Sequence, residues 1–154
     1  DKNVKEFVSA NNFNINDYKV LWRVDSMMNH NCELKFPDNV FINGFCYKYY
    51  KEIQNVINGG NSDALEQLIK MYISANGFYA EEIEDIIYTI FKTKKKFIAN
   101  NWNIISKYQE NITFETTSYG SEESQVMSEY KSLDIDAKTK DKILEFLTIQ
   151  ANKE

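Results

Sequence analysis

The sequence predicts an all-α protein built from antiparallel helical hairpins. Three observations carry that reading. Apolar residues recur at steps of three and four along several segments, the period of a helix with one buried face. Glycine and proline are scarce, five and one in 154 residues, and Pro37, Gly59-Gly60 and Gly77 punctuate the best-patterned segments. Asn, Asp and Ser stand just ahead of several of them, where a side-chain oxygen accepts the N–H groups that a first helical turn leaves unpaired.

The elements follow in order. Residues 1–10 read as a short helix or arm with Val4, Phe7 and Val8 on one side, broken by the asparagines of 11–16. Asn16 caps a second helix over 17–28, with Tyr18, Leu21, Trp22, Val24 and Met28 apolar; a short strand over 20–24 competes for its middle. Residues 29–37 are irregular. The strongest helix follows the Asp38 cap, with Phe41, Ile42, Phe45, Cys46, Tyr49, Ile53, Val56 and Ile57 in register, and Gly59-Gly60 ends it. Asn61, Ser62 and Asp63 offer caps to a helix over 64–75, with Leu65, Leu68, Ile69, Tyr72 and Ile73 inward, and Asn76-Gly77 stops it.

The next helix covers 79–92, with Ala80, Ile83, Ile86, Ile87, Ile90 and Phe91 as its stripe. Glu81, Glu82, Glu84 and Asp85 occupy its first turns and Lys92, Lys94, Lys95 and Lys96 its end, the polarity that a helix dipole favours. A further helix over 94–108 carries Phe97, Ile98, Trp102, Ile105 and Tyr108. Residues 109–123 form a weaker-patterned linker, in which 112–117 fits a short edge strand or a loop. Helices over 122–131 (Val126, Met127, Tyr130) and from the Asp136 cap to Ala151 (Ile143, Leu144, Leu147, Ala151) complete one helical domain over 1–154. Short turns make neighbours antiparallel, so 39–75, 79–108 and 122–151 read as three hairpins, arranged as a short HEAT-like superhelix or an irregular bundle.

Charge excludes several functions. The formal net charge is −5, and the second half carries most of it: residues 1–77 hold 8 basic and 9 acidic groups, residues 78–154 hold 10 and 14. Phosphate neutralisation needs clustered Lys and Arg, so no nucleic-acid partner is expected. Lys92–Lys96 with Phe97 and Trp102 is the one basic–aromatic run, and its aromatics fall on the apolar stripe, which points to core packing. No apolar run reaches the ~18–20 residues of a membrane span. The chain starts at Asp1 without a methionine, which fits a removed leader, and a lipid anchor on such a leader is compatible with that start.

Reactive chemistry has little to work with. His30 is the single histidine, in a polar turn beside Cys32; with Cys32 or Cys46 it is the seed of a Cys–His nucleophile pair, and with Cys32, Met27 and Met28 and a carboxylate such as Glu33 that of a soft metal site. A structural zinc site wants four Cys or His ligands, and the chain holds one histidine and two cysteines, Cys32 and Cys46. Adjacent carboxylates on a helix point about 100° apart, so Glu81/Glu82 and Glu84/Asp85 are not acid–base dyads. Gly59-Gly60 lacks the frame of a phosphate loop. No catalytic residue and no cofactor are expected. Tyr47 and Tyr50 fall off the Phe45/Tyr49 stripe, and tyrosines on a surface suit recognition.

The stretch from Asn58 to Tyr72 (NGGNSDALEQLIKMY) and that from Ala75 to Glu82 (ANGFYAEE) resemble a pattern in bacterial HEAT-like αα-hairpin proteins, many of them exported or lipid-anchored. The likeness covers about residues 41–105. It implies a hairpin fold and an exported, periplasmic or cell-surface location, and no catalytic residue.

Three functions follow. The first is a non-catalytic protein-interaction domain whose surface is Tyr47, Tyr50, Glu81, Glu82, Glu84 and Asp85. The second is an acidic immunity- or inhibitor-type protein that masks a basic effector. The third is a metal-binding or enzymatic protein centred on His30 and Cys32.

Overall fold

The computed structural model describes residues 58, 60–74 and 77–153. The described residues are all-α: six α-helices and one 3-10 turn, with no strand among them. The helices are α1 (Ser62–Ser74), α2 (Gly77–Thr93), α3 (Lys95–Asn100), α4 (Trp102–Ile105), α5 (Tyr119–Lys131) and α6 (Ala137–Ala151); the 3-10 turn is Gln109–Asn111. The chain divides within α2 into two units, Asp1–Ile83 and Glu84–Glu154. The helices predicted before residue 58 lie outside the described residues.

In the first unit, two glycines set the limits of α1. Gly60 has φ +90° and Gly77 has φ +58°, both in the left-handed region that residues with a Cβ rarely adopt. Asn61 caps α1: its Oδ1 accepts the Ala64 N–H at 3.0 Å and its carbonyl accepts Leu65 N–H at 3.2 Å. Ala64, Leu65, Leu68, Ile69, Met71 and Tyr72 are buried, but Ile73 is 41% exposed, so the stripe is turned slightly from the predicted one.

The second unit starts in the middle of α2. Ile86, Ile87, Ile90 and Phe91 are buried as predicted, and Tyr88 joins them. The carbonyls at the end of α2 find varied partners. Ile90 O accepts Lys94 N–H at 2.8 Å, Phe91 O accepts the Tyr130 hydroxyl at 2.6 Å, and Lys92 O accepts the Lys95 ammonium.

The helix predicted over 94–108 is broken at Asn101 into α3 and α4. Asn101 Nδ2 donates to Phe97 O at 2.8 Å, the carbonyl that also accepts the Asn101 N–H at 3.1 Å, so this side chain closes the last turn of α3 on itself. Its backbone leaves helical geometry, with φ −116° and ψ 20°. Ile98, Trp102 and Ile105 still face the core, so periodicity survives the break.

Residues 112–117 adopt the loop alternative. Ile112 is extended (φ −97°, ψ 130°), and no ladder forms. Helix α5 then begins at Tyr119, three residues earlier than predicted. Helix α6 starts at the predicted cap: Asp136 Oδ2 accepts the Thr139 N–H at 2.9 Å and its hydroxyl at 3.1 Å. Helices α5 and α6 pack together as an antiparallel hairpin. Tyr119, at the start of α5, donates to Leu147 O near the end of α6 at 2.7 Å, and Lys140 donates to Lys131 O at 2.9 Å at the other end.

Six aromatic rings from five segments form the core of this unit. Phe114, in the loop, lies 5.3 Å from Tyr88, 5.3 Å from Phe91, 5.7 Å from Tyr119 and 5.8 Å from Phe146, mostly edge to face. Phe91 stacks on Phe146 at 5.3 Å, and Trp102 closes the cluster against both. Gln150 secures the loop backbone. Its Oε1 accepts Phe114 N–H at 3.2 Å and its Nε2 donates to Ile112 O at 2.9 Å, which also accepts Lys153 Nζ at 3.1 Å.

Two substitutions test this account. Phe114→Ala should cost about 3–5 kcal/mol, the range for emptying a buried aromatic site. Gln150→Leu should cost about 1–3 kcal/mol, because it strands a buried N–H. Urea denaturation followed by near-ultraviolet circular dichroism, which reports the ring cluster, measures both.

Candidate functional site

Tyr47, Tyr50, His30, Cys32 and Cys46 lie outside the described residues. On α2, Glu81 and Asp85 are exposed and Glu82 is half-buried. Glu84 differs from the solvated first-turn charge that the sequence predicts: it is 4% exposed. Its Oε2 accepts Thr116 N–H at 2.6 Å and also the Thr116 hydroxyl. Burial pushes its carboxyl above the usual carboxylate range, with Glu115 and Asp85 adding in the same direction, and the two Thr116 bonds oppose them.

Glu122 on α5 is the second carboxylate with a defined environment. The Tyr88 hydroxyl donates to it and Lys92 Nζ pairs with it at 3.3 Å. The Tyr88 bond, then Lys92, holds the Glu122 carboxyl below its usual range, while burial followed by Glu122 pushes the Tyr88 phenol up. Lys95 pairs with Glu129 at 2.6 Å about two turns further along the same face of α5. These contacts join the end of α2 and the start of α3 to α5. Lys95 also lies over the Tyr130 ring at 5.8 Å, so Lys92 and Lys95 serve helix capping and packing.

One concavity of the second unit was not anticipated from the sequence. A groove of about 480 Å³ runs between α4 with its following 3-10 turn and α6. Trp102 and Phe146 line its apolar part, with Ile149 beside them; Glu110, Lys142, Glu145 and Lys153 are its charged residues. Ile149 is 51% exposed, although it is a large aliphatic residue. Buried positions on α6 are Ile143, Phe146, Leu147 and Gln150, a helical i, i+3, i+4, i+7 set. The sequence reading took Leu144 and Ala151 instead, because a glutamine at the fourth position hides the pattern. Once Gln150 is placed inward, Ile149 falls outward beside Glu145.

The groove has an apolar floor and a rim of both charge signs. Among the described residues, no group of three or more His, Cys, Asp or Glu is placed to hold a metal ion. None of the described helices is long and apolar enough to cross a membrane. No protein-family model, curated protein or solved structure matches the chain.

The Glu84 environment makes a pH-dependent prediction. A carboxyl whose pKa is raised on folding stabilises the fold below its ordinary value of 4.5, and that contribution is lost as pH rises through the folded value. Glu84→Gln keeps an oxygen acceptor for Thr116 and removes the titration. The stability of the wild type relative to Glu84→Gln should therefore decline from about pH 4 to about pH 7 in paired urea titrations. A difference that stays flat across this range would contradict the burial-dominated assignment.

Proposed function

We propose that this chain is a helical protein-interaction domain, with HEAT-like αα-hairpin architecture, that recognises another protein and performs no chemistry of its own. The observation that carries the reading is where the buried polar side chains of the second unit point. Tyr119 and Tyr130 donate to main-chain carbonyls, Gln150 pairs with the 112–114 backbone, and Glu84 holds Thr116. Each is engaged in holding the fold, so the polar groups turned outward are left for recognition.

Exposed Glu81 and Asp85, one helical turn apart on α2, support an electrostatic contribution to that recognition. Tyr47 and Tyr50 are assigned to the same role from their positions off the apolar stripe. A second reading, an acidic inhibitor or immunity-type protein that masks a basic effector, is favoured by the net charge of −5 together with these exposed carboxylates.

Cross-linking of the full chain in its native lysate identifies the partner, and variants then test the surface. Tyr47→Ala/Tyr50→Ala and Glu81→Lys/Asp85→Lys should each weaken binding by about tenfold or more, with unchanged thermal denaturation. For a basic effector, the association rate should also fall about tenfold between about 50 and about 500 mM salt. Full affinity in both double variants overturns the surface assignment, and a salt-insensitive rate removes the inhibitor reading.

A further inference from the structure

We propose that the lysine-lined concavity between the start of α3 and the turn after α5 docks a short acidic segment of a partner protein, with an apolar residue at the centre of that segment. The inference goes beyond the proposed recognition through α2 and uses a different surface, of opposite charge.

The concavity has a volume of about 350 Å³ and is lined by Thr93, Lys94, Lys95, Lys96, Phe97 and Leu133. Three of these residues are lysines and none is acidic, in a chain of net charge −5. The fold engages only one of the three. Lys95 gives its ammonium to Lys92 O and pairs with Glu129 at 2.6 Å, and its side chain is 16% exposed. Capping at the end of α2 is complete without the other two ammonium groups. Thr89 O accepts the Thr93 hydroxyl at 2.6 Å, Ile90 O the Lys94 N–H, Phe91 O the Tyr130 hydroxyl and Lys92 O the Lys95 ammonium. Lys94 and Lys96 are exposed, and neither enters an ion pair among the described residues. Helix polarity does not account for Lys96 either, because it lies in the first turn of α3, where a helix dipole disfavours a cation.

Charge and shape together choose the occupant. Phe97 and Leu133 are half-buried, unlike the buried Trp102, so the concavity offers an apolar patch between its lysines. An apolar residue flanked by acids meets both features. Its side chain enters against Phe97 and Leu133, and the flanking carboxylates reach Lys94 and Lys96. Other polyanions fit less well. A membrane surface is flat and does not fill a concavity. A single strand of nucleic acid needs a basic track with several stacking rings, and this lining holds one, Phe97. Both are extended polyanions that a chain of net charge −5 repels at long range, whereas a short segment carries few charges. Beside the lining in sequence, exposed Lys131 precedes Leu133 and exposed Asp134 follows it, and their charges balance.

Fluorescence anisotropy of the full chain with a panel of labelled peptides tests this, each peptide carrying one leucine, phenylalanine or tryptophan among glutamates. In about 100 mM salt, where distant charges are screened, at least one should bind saturably between about 10 µM and about 1 mM. Lys94→Glu/Lys96→Glu should weaken that binding by about tenfold or more, because each reversal replaces an attraction by a repulsion. Lys94→Arg/Lys96→Arg should stay within about threefold of wild type, since both charges remain. Lys107→Glu/Lys142→Glu makes an equal change of net charge at exposed lysines elsewhere and should also stay within about threefold. Serine in place of the apolar residue of the peptide should weaken binding by about fivefold or more. Circular dichroism and the denaturation midpoint confirm that each variant is folded. Absence of saturable binding by every peptide up to about 1 mM overturns the inference. So does full affinity in Lys94→Glu/Lys96→Glu, or an equal loss in Lys107→Glu/Lys142→Glu. A poly-dT oligonucleotide or a phosphatidylserine vesicle that binds more tightly than every peptide, and is released by the same Lys94 and Lys96 reversals, overturns the choice of occupant. None of these measurements involves Tyr47, Tyr50, Glu81 or Asp85, so the two proposals fail separately.

Discussion

Burying a stretch of irregular backbone is the constraint around which the second unit is organised. Ile112 and Phe114 lie in the core although 112–114 has no helix to pair its peptide groups. Buried N–H and C=O groups need partners, and an apolar core provides none. Gln150 supplies them from α6. Its carboxamide is a planar donor–acceptor pair like a peptide, so it meets Phe114 N–H and Ile112 C=O together as a neighbouring strand would. With the backbone satisfied, the Phe114 ring reaches Tyr88, Phe91, Tyr119 and Phe146 at once. Helices α2, α5 and α6 therefore meet on a loop residue.

The remaining polar contacts adjust this arrangement. Tyr119 and Tyr130 are almost wholly buried, and each passes its hydroxyl to a carbonyl of another helix, which fixes how α5 lies against α6 and α2. Glu84 reaches across to Thr116 and holds the far side of the loop. The Lys92–Glu122 and Lys95–Glu129 pairs sit closer to solvent, where screening leaves ion pairs little stabilising effect, so they orient α5 more than they stabilise it. These polar side chains are all engaged within the fold. The surface retains exposed carboxylates on α2 and the groove beside Ile149.

Some of this was legible from local rules. Asn61 and Asp136 cap the helices they precede, Gly60 and Gly77 take the left-handed backbone their positions ask for, and the stripe of α2 is buried as its spacing requires. Each depends on neighbours within a turn or two. The groove was not legible, because its walls come from α4, the 3-10 turn and α6, and its exposed isoleucine is outward only because Gln150 is inward. Glu84 was hidden for the same reason. Its sequence neighbours Glu81, Glu82 and Asp85 describe a solvated helix start, while the partner that draws it inside, Thr116, is 32 residues away.

By itself, then, the sequence determined the all-α character of the described residues, the boundaries of α1, α2 and α6 to within about two residues, and the poverty of reactive groups, since period, capping and composition are local properties. Tertiary structure decided that residues 112–117 form a buried loop, and which glutamate and which isoleucine change sides. Those outcomes turn on hydrogen bonds and ring contacts between segments distant in sequence. Their energies exist only once the segments meet, and local pattern carries no record of them.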